Sequence, residues 1–262
     1  MDILFISELR QPLSSEEQAE IARYIAEGGN LIVACEAGSQ DHINPLLAPF
    51  GISFLPGRVM QKSENFAPSL VFSQMSKEME QASGDFSWMN RWKYRVPMPN
   101  VVGIQYTATE NVTVTPFMHT ITTETCWQEL ETTDYMAKDA VLNTEAGETA
   151  GTFHTSVLVS RKLSNKEQRL WVVGDADLFS NGELMQRRRG VLSGENKRVM
   201  EYAMQFMTEG NFPVDTDRKG SPDRGINIGL ESLMPIKVGF MGVFPALLAI
   251  FGIAIQIRRK RK

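Results

Sequence analysis

Carboxylates gather at three places where an apolar run gives way to a turn: Ser7-Glu8, Cys35-Glu36 and Gly174-Asp175-Ala176-Asp177, with Asn181 four residues further on. Ligands of open parallel sheets bind beyond the carboxyl ends of the strands, so these are the positions to weigh first. Asp175, Asp177 and Asn181 could hold a hard cation or a phosphate-bound metal, because such ions take oxygen ligands. The plainer reading is that the acidic side chains accept hydrogen bonds from backbone N–H groups of the turn. A metal site wants more convergent carboxylates than a sequence can assign, so neither a metal nor a cofactor is expected. Glu8, Glu36, Asp175 and Asp177 could instead pair as acid and base in a hydrolase or carbohydrate-binding enzyme, provided the fold brings two of them within reach.

Cys35 sits in the string Ala34-Cys35-Glu36-Ala37-Gly38, which lacks the glycine two residues before the nucleophile that a tight elbow needs. His42, His119 and His154 have no diagnostic spacing to it, so Cys35 reads as a buried thiol ending an apolar strand. Cys126 is the only other cysteine. There is no disulfide framework and no cysteine-based metal spacing, although one long-range bridge remains open. Trp88, Trp92 and Tyr94 interleave with Arg91, Lys93 and Arg95, a pattern that can stack bases or sugars but more often marks a strand with one wet face.

The elements that must hold these residues can be read from local signals. Asp2 to Ile6 is a compact apolar run, and Ser14 with Glu17 has capping-box spacing, so a helix begins there. Ile21, Ala22 and Ile25 follow at helical spacing, and Gly28 with Gly29 supplies the stop. Leu31 to Ala34 is then a second strand, which makes a βαβ unit with parallel strands. Asn44 and Pro45 read as N-cap and first residue of a short helix. From there to about Asn165 the chain is β-branched and broken by prolines, for example in Val101–Thr107 and Val112–Phe117, so a β-rich elaboration over about 57–165 is expected. Val157–Ser160 and Leu170–Val173 restore apolar strands, and Val199, Met200, Ala203, Met204 and Met207 form one face of a last helix ending at Gly210.

Val238 to Ile255 is uncharged, and at about 1.5 Å per residue this run gives a helix close to the hydrocarbon thickness of a bilayer. Arg258, Arg259, Lys260, Arg261 and Lys262 follow and by the positive-inside rule stay cytoplasmic, which puts the preceding domain outside. The expected layout is an extracytoplasmic α/β domain over 1–210, a juxtamembrane linker over 211–235, a transmembrane helix over 236–257 and a basic cytoplasmic tail over 258–262. Met1 to Leu9 is no signal peptide, so preceding spans in a longer protein are expected. Within the span Gly242, Ala246 and Ala249 share a face suited to close packing in lipid, and Pro245 interrupts one backbone bond. Without the five terminal cations there are 22 basic residues against 31 acidic ones, a balance that repels nucleic acid.

Taken together, Asp2–Pro12, the Tyr24–Leu31 stretch, Asn44-Pro45-Leu46-Leu47 with Phe50-Gly51, Val172–Asp177 with Ser180-Asn181, and the ending of one span plus a basic tail resemble the GldG-type auxiliary proteins of bacterial ABC transporters. These are known from gliding motility and occur joined to ABC-2 permease segments in Bacteroidota. The resemblance implies a parallel-sheet sandwich similar to the class I glutamine amidotransferase-like, flavodoxin-like fold, with a β-rich insertion and without the amidotransferase's catalytic residues. It further implies a place outside the cytoplasmic membrane beside an ABC-2 permease, with a separate ATPase subunit. The chain itself holds no GxxxxGK[ST] loop to bind ATP.

Overall fold

The computed structural model describes residues 3–131, 140–185, 196–211 and 230–260. The chain divides into two units, Met1–Val214 and Asp215–Lys262.

The first unit opens with β1 (Ile3–Ser7), α1 (Ser15–Ala26) and β2 (Asn30–Ala34). The helix starts where its sequence dictates: the Glu17 N–H donates to Ser14 Oγ, and the Ser14 N–H donates to Glu17 Oε2 at 2.8 Å, so two of the orphan donors of the first turn are satisfied. Strands β1 and β2 pair in parallel, Leu4 opposite Leu31, as a crossover helix requires. The chain continues through α2 (Gln40–Leu47), β3 (Ile52–Phe54), β4 (Arg58–Gln61), β5 (Leu70–Met75), α3 (Lys77–Ala82), α4 (Gly84–Arg91), β6 (Val96–Pro99) and β7 (Ile104–Tyr106). Then come β8 (Val112–Thr120), β9 (Cys126–Glu129), β10 (Thr149–Ala150), β11 (His154–Lys162), β12 (Glu167–Val173), α5 (Asn181–Met185) and α6 (Asn196–Met207).

The main sheet runs β1-β2-β12-β11-β8-β5-β6, with β7 beside β11 and β3 beside β7. Only β1, β2 and β12 are mutually parallel; every other pairing in this sheet is antiparallel. The expected parallel sheet is therefore corrected to a mixed one. The reason is visible between β11 and β12, where the Leu163 N–H donates to the Lys166 carbonyl at 2.9 Å in a tight turn. A parallel return needs a crossover of a dozen or more residues, and this connection is far shorter. Residues of the proline-broken middle enter the main sheet through β5, β6, β7, β8 and β11, while β4, β9 and β10 form a small antiparallel sheet of their own. The prolines fall where ladders tolerate them: Pro97 and Pro99 on the edge strand β6, and Pro116 at a register irregularity between β8 and β11.

Both faces of the sheet are covered. Leu31, Val33, Val157, Leu170 and Val172 pack on one side with Ile25 of α1 and Ile43 and Leu47 of α2. Ile32, Ala34, Leu158, Trp171 and Val173 point to the other, against Phe86 and Met89 of α4 and Val199, Ala203 and Met207 of α6. Two-sided burial accounts for the uninterrupted apolar runs, since successive strand residues alternate between faces.

Three local expectations are corrected. Asn44 and Pro45 lie inside α2, which begins at Gln40. The Asn44 amide clamps β3, donating to the Phe54 carbonyl at 3.1 Å and accepting from the Phe54 N–H at 2.8 Å. Trp88–Arg95 is a helix end and turn, in which Trp88 stacks on Tyr94 at 5.0 Å between centroids. Val101–Thr107 is strand only at Ile104–Tyr106, because Val101–Gly103 crosses over the ends of other strands. Cys35 and Cys126 are free, buried thiols, so the open possibility of a bridge between them is not realised.

In the second unit α7 (Leu230–Val238) passes through a π turn at Gly239–Val243 into α8 (Phe244–Lys260). The stretch Met234–Lys260 has 27 residues with a mean hydropathy of 2.4 in its most apolar window and is the one helix among the described residues long and apolar enough to cross a membrane. Pro245 cannot donate to the carbonyl four residues back, and the wider π turn just before it relaxes the ring's clash: Phe244 N–H reaches Gly239 O. Most of the stretch read as a linker, residues 212–229, lies outside the described residues, as do 261–262 of the tail.

Candidate functional site

The site is built from the ends of two parallel neighbours. Val173 of β12 lies opposite Ala34 of β2, and the Cys35 N–H donates to the Val173 carbonyl at 3.0 Å, so the ladder runs to the last residue of each strand. Beyond it stands Gly174. A Cβ there would lie 1.9 Å from the Val102 carbonyl oxygen. Val102 donates its N–H to Gly174 O at 2.7 Å, and Gly174 donates its own to Thr155 O at 2.9 Å. Only glycine lets the Val101–Gly103 segment lie this close, which gives a physical reason for the glycine in the Val172–Asp177 signature.

Above this base Asp175 is fully buried. Its Oδ1 accepts from the Asp177 N–H at 2.8 Å, and Glu36 Oε1 accepts from the Ala176 N–H at 2.8 Å. The turn-capping reading of these acids thus holds, and it does something further. It draws one ligand oxygen each of Glu36, Asp175 and Asp177 within 4.8 Å of the others, with Glu36 half-buried and Asp177 exposed. Asp175 Oδ2, buried as it is, has no hydrogen-bond partner.

Electrostatics follow from the crowding. Burial pushes the Asp175 carboxyl well above the ordinary aspartate range, and the charges of Glu36 and Asp177 push it further. Burial also raises Glu36, to about 7, against the pull of the N–H donor from Ala176. Asp177 rises through partial burial and then through the charges of Glu183 and Glu8.

Of the residues singled out in the sequence, Glu36, Asp175 and Asp177 come together. Glu8 sits at a positive φ of 49° and receives a hydrogen bond from Arg10 Nε at 2.9 Å; only its field reaches Asp177. Asn181 is exposed at the first position of α5. Glu183 was missed. It is buried, and its N–H donates to Ser180 Oγ at 3.1 Å. The Ser180-x-x-Glu183 spacing is a helix-start signal that would have pointed to it.

A second carboxylate trio, Glu129, Glu131 and Glu148, was also missed. Glu129 and Glu148 belong to the neighbourhood of the small sheet, where Gln128 of β9 faces Thr149 of β10. No local spacing announces a meeting that strand pairing creates.

Burial pushes the Cys35 thiol far above the ordinary thiol range and Cys126 up to about 11, which favours the neutral thiol over the nucleophilic thiolate. Clefts indent the surface of the described residues. One of about 570 Å³ runs between Asp41, Asn44 and Pro45 on one side and Gln105 and Tyr106 on the other. Another of about 380 Å³ lies among Gly38, Gln40, Arg58, Glu129 and Glu131. Neither is lined by Glu36, Asp175 or Asp177.

A mixed α/β domain with a carboxylate knot at its parallel strand ends, followed in the chain by a helix of membrane-spanning length, defines the class of molecule. Within it, the chain belongs to the family described as ABC-type uncharacterized transport system, auxiliary proteins of ABC transporters, whose model matches residues 1–209. Among solved structures, the mmIFT52 N-terminal domain is similar, with a TM-score of 0.52 and 17% identity over 81% of this chain and 79% of that one. At that identity the likeness concerns the fold alone. No match was found among curated protein sequences.

Proposed function

We propose that this chain is a non-catalytic, extracytoplasmic accessory domain of a bacterial ABC-2 type transport system. It is held in the cytoplasmic membrane by its C-terminal helix and works through contacts with a permease served by a separate ATPase. The observation that carries the reading is the match of residues 1–209 to the transport family, followed by the apolar helix Met234–Lys260. The cluster Arg258, Arg259 and Lys260 at the end of that helix supports a cytoplasmic C-terminus, and with it an outward-facing domain. A GldG-type member, from a gliding-motility or permease-fused setting in Bacteroidota, with a flavodoxin-like or amidotransferase-like arrangement around its three parallel strands, is the finer form of the same proposal.

The rival reading is a hydrolase or carbohydrate-binding enzyme, and the closeness of Glu36, Asp175 and Asp177 favours it. Against it, Asp175 is sealed from solvent, and neither described cleft opens on these carboxylates. An acid–base pair must reach the bond it breaks.

Affinity purification of the full chain in a mild non-ionic detergent tests the proposal. Recovery of an ABC permease together with a Walker-motif ATPase is the expected result. A chain that purifies alone after mild crosslinking, or whose domain is labelled only from the cytoplasmic side, overturns it.

A further inference from the structure

We propose that Glu36, Asp175 and Asp177 form a binding site for one hard divalent cation, of the calcium and magnesium class, which ties the loop after β2 to the loop after β12. The donor set is all oxygen. It comes from two loops, and its three ligand atoms lie within 4.8 Å of one another. Oxygens around calcium at its usual bond lengths of 2.3–2.6 Å stand up to about 5 Å apart, so the spacing suits an ion at the centre. Without imidazole or thiolate, the set favours hard cations over zinc or copper.

The independent observation is Asp175 Oδ2. The residue is fully buried, and this oxygen meets no backbone, amide or cationic donor: the group beside the Asp175 carboxyl is the carboxyl of Glu36, while Oδ1 is fixed by the Asp177 N–H at 2.8 Å. A buried acceptor left unmet costs free energy, and most native buried polar atoms are paired. No ion pair joins Glu36, Asp175 or Asp177 to a lysine or arginine among the described residues. The backbone donors from Ala176 and Asp177 hold one oxygen of Glu36 and one of Asp175, as the outer partners of metal-ligating carboxylates do. Exposed Asp177 gives the ion its way in from solvent.

The Glu129–Glu131–Glu148 trio serves as an internal control. Its buried oxygens are taken: Glu129 by the Glu131 N–H and the Trp127 indole, Glu148 by the N–H groups of Leu130 and Asn143. No buried oxygen of that trio waits for an ion.

The test is calorimetric titration of the chelator-stripped full chain, in non-ionic detergent, with calcium chloride and then magnesium chloride, paired with thermal unfolding in each ion. One saturable site and a higher unfolding temperature are expected for the parent protein. Asp177→Asn should bind at least about tenfold more weakly, as loss of a direct ligand implies, Asp175→Asn should not bind, and Glu129→Gln should match the parent. Asp177 is exposed, so its variant remains informative should Asp175→Asn fail to fold. Neither heat nor a thermal shift up to about 10 mM of either ion, beyond the weakest range such sites show, overturns the proposal. So does unchanged affinity in Asp177→Asn; the cluster is then neutralised by a proton shared between Asp175 and Glu36.

Discussion

Beside the small sheet, Glu129, Glu131 and Glu148 crowd as closely as Glu36, Asp175 and Asp177 do at the ends of β2 and β12, each trio within 4.8 Å, yet the two solve the same repulsion differently. The first is closed on itself. Asn143 donates its N–H to Glu148 Oε2 and its amide to Glu131 Oε2, both at 2.7 Å, and Leu130 donates to Glu148 Oε1 at 3.2 Å. Burial acts to raise Glu148, but these donors outweigh it and leave its pKa lowered, while burial and the facing Glu148 lift Glu129 to about 7. The pair therefore titrates as a unit in which Glu129 keeps its proton to a higher pH than Glu148, and when protonated Glu129 is a donor. At the strand ends the N–H groups of Ala176 and Asp177 hold one oxygen each of Glu36 and Asp175, but Asp175 Oδ2 meets no backbone or amide donor and has only the Glu36 carboxyl for company. Equal crowding of like charge thus produces a structural clasp where every oxygen of the two buried carboxyls meets an N–H donor, and an open coordination set where one buried oxygen does not.

Both trios rest on a glycine, and the largest effects are expected there. A Cβ on Gly57 would lie 1.9 Å from the Glu129 carbonyl oxygen, at a φ of +71°, and one on Gly174 would lie 1.9 Å from that of Val102. The atom in the way is backbone in each case, so neither clash can be relieved by a rotamer change. Gly57→Ala and Gly174→Ala are each expected to destabilise by about 3 kcal/mol or more, at or above the usual range for overpacking. Denaturant unfolding measures this. A cost below about 1 kcal/mol in one variant alone would show that its trio sits on a yielding frame.

A step below stands the exchange of carboxyl for amide. Glu148→Gln removes the charge that two backbone donors point at, and a loss of about 1–3 kcal/mol is expected. Asp175→Asn, measured without divalent ions, should cost under about 1 kcal/mol or stabilise, because it replaces a carboxyl that burial and neighbouring charge already disfavour in ionised form. Equal losses in the two variants would erase the distinction between closed and open trios.

What could be read in advance follows the reach of the interactions. Ser14 with Glu17, and Gly28 at its positive φ, announce α1 because each acts within a single helical turn. The carboxylates after β2 and β12 were legible because the parallel βαβ logic puts strand ends side by side. Strand direction was lost at Leu163–Lys166, where a hairpin turn between two apolar runs looks like any other boundary until the runs are paired. Asn44 was misplaced because its amide is spent on Phe54, across the fold, rather than on its own helix. Glu129 and Glu148 meet only through the pairing of β9 with β10, which no periodicity reveals.

The smallest effect is a slope rather than a loss. Glu129 titrates near 7 in the folded protein and near 4.3 in an unfolded chain, so its protonated form favours folding. That contribution is complete below about pH 4.3 and fades as pH rises through 7. Glu148, lowered instead, contributes above the unfolded glutamate range and loses its share only as pH falls through its own folded pKa, so the two act over different intervals. Glu129→Gln presents Glu148 with a donor that cannot ionise, and it should unfold at a temperature close to the parent's at pH 5 and higher than the parent's at pH 8. Parallel melting curves across that interval would mean that Glu129 is charged throughout. The small-sheet trio would then be as open as the one at the strand ends, and it should bind the same cations.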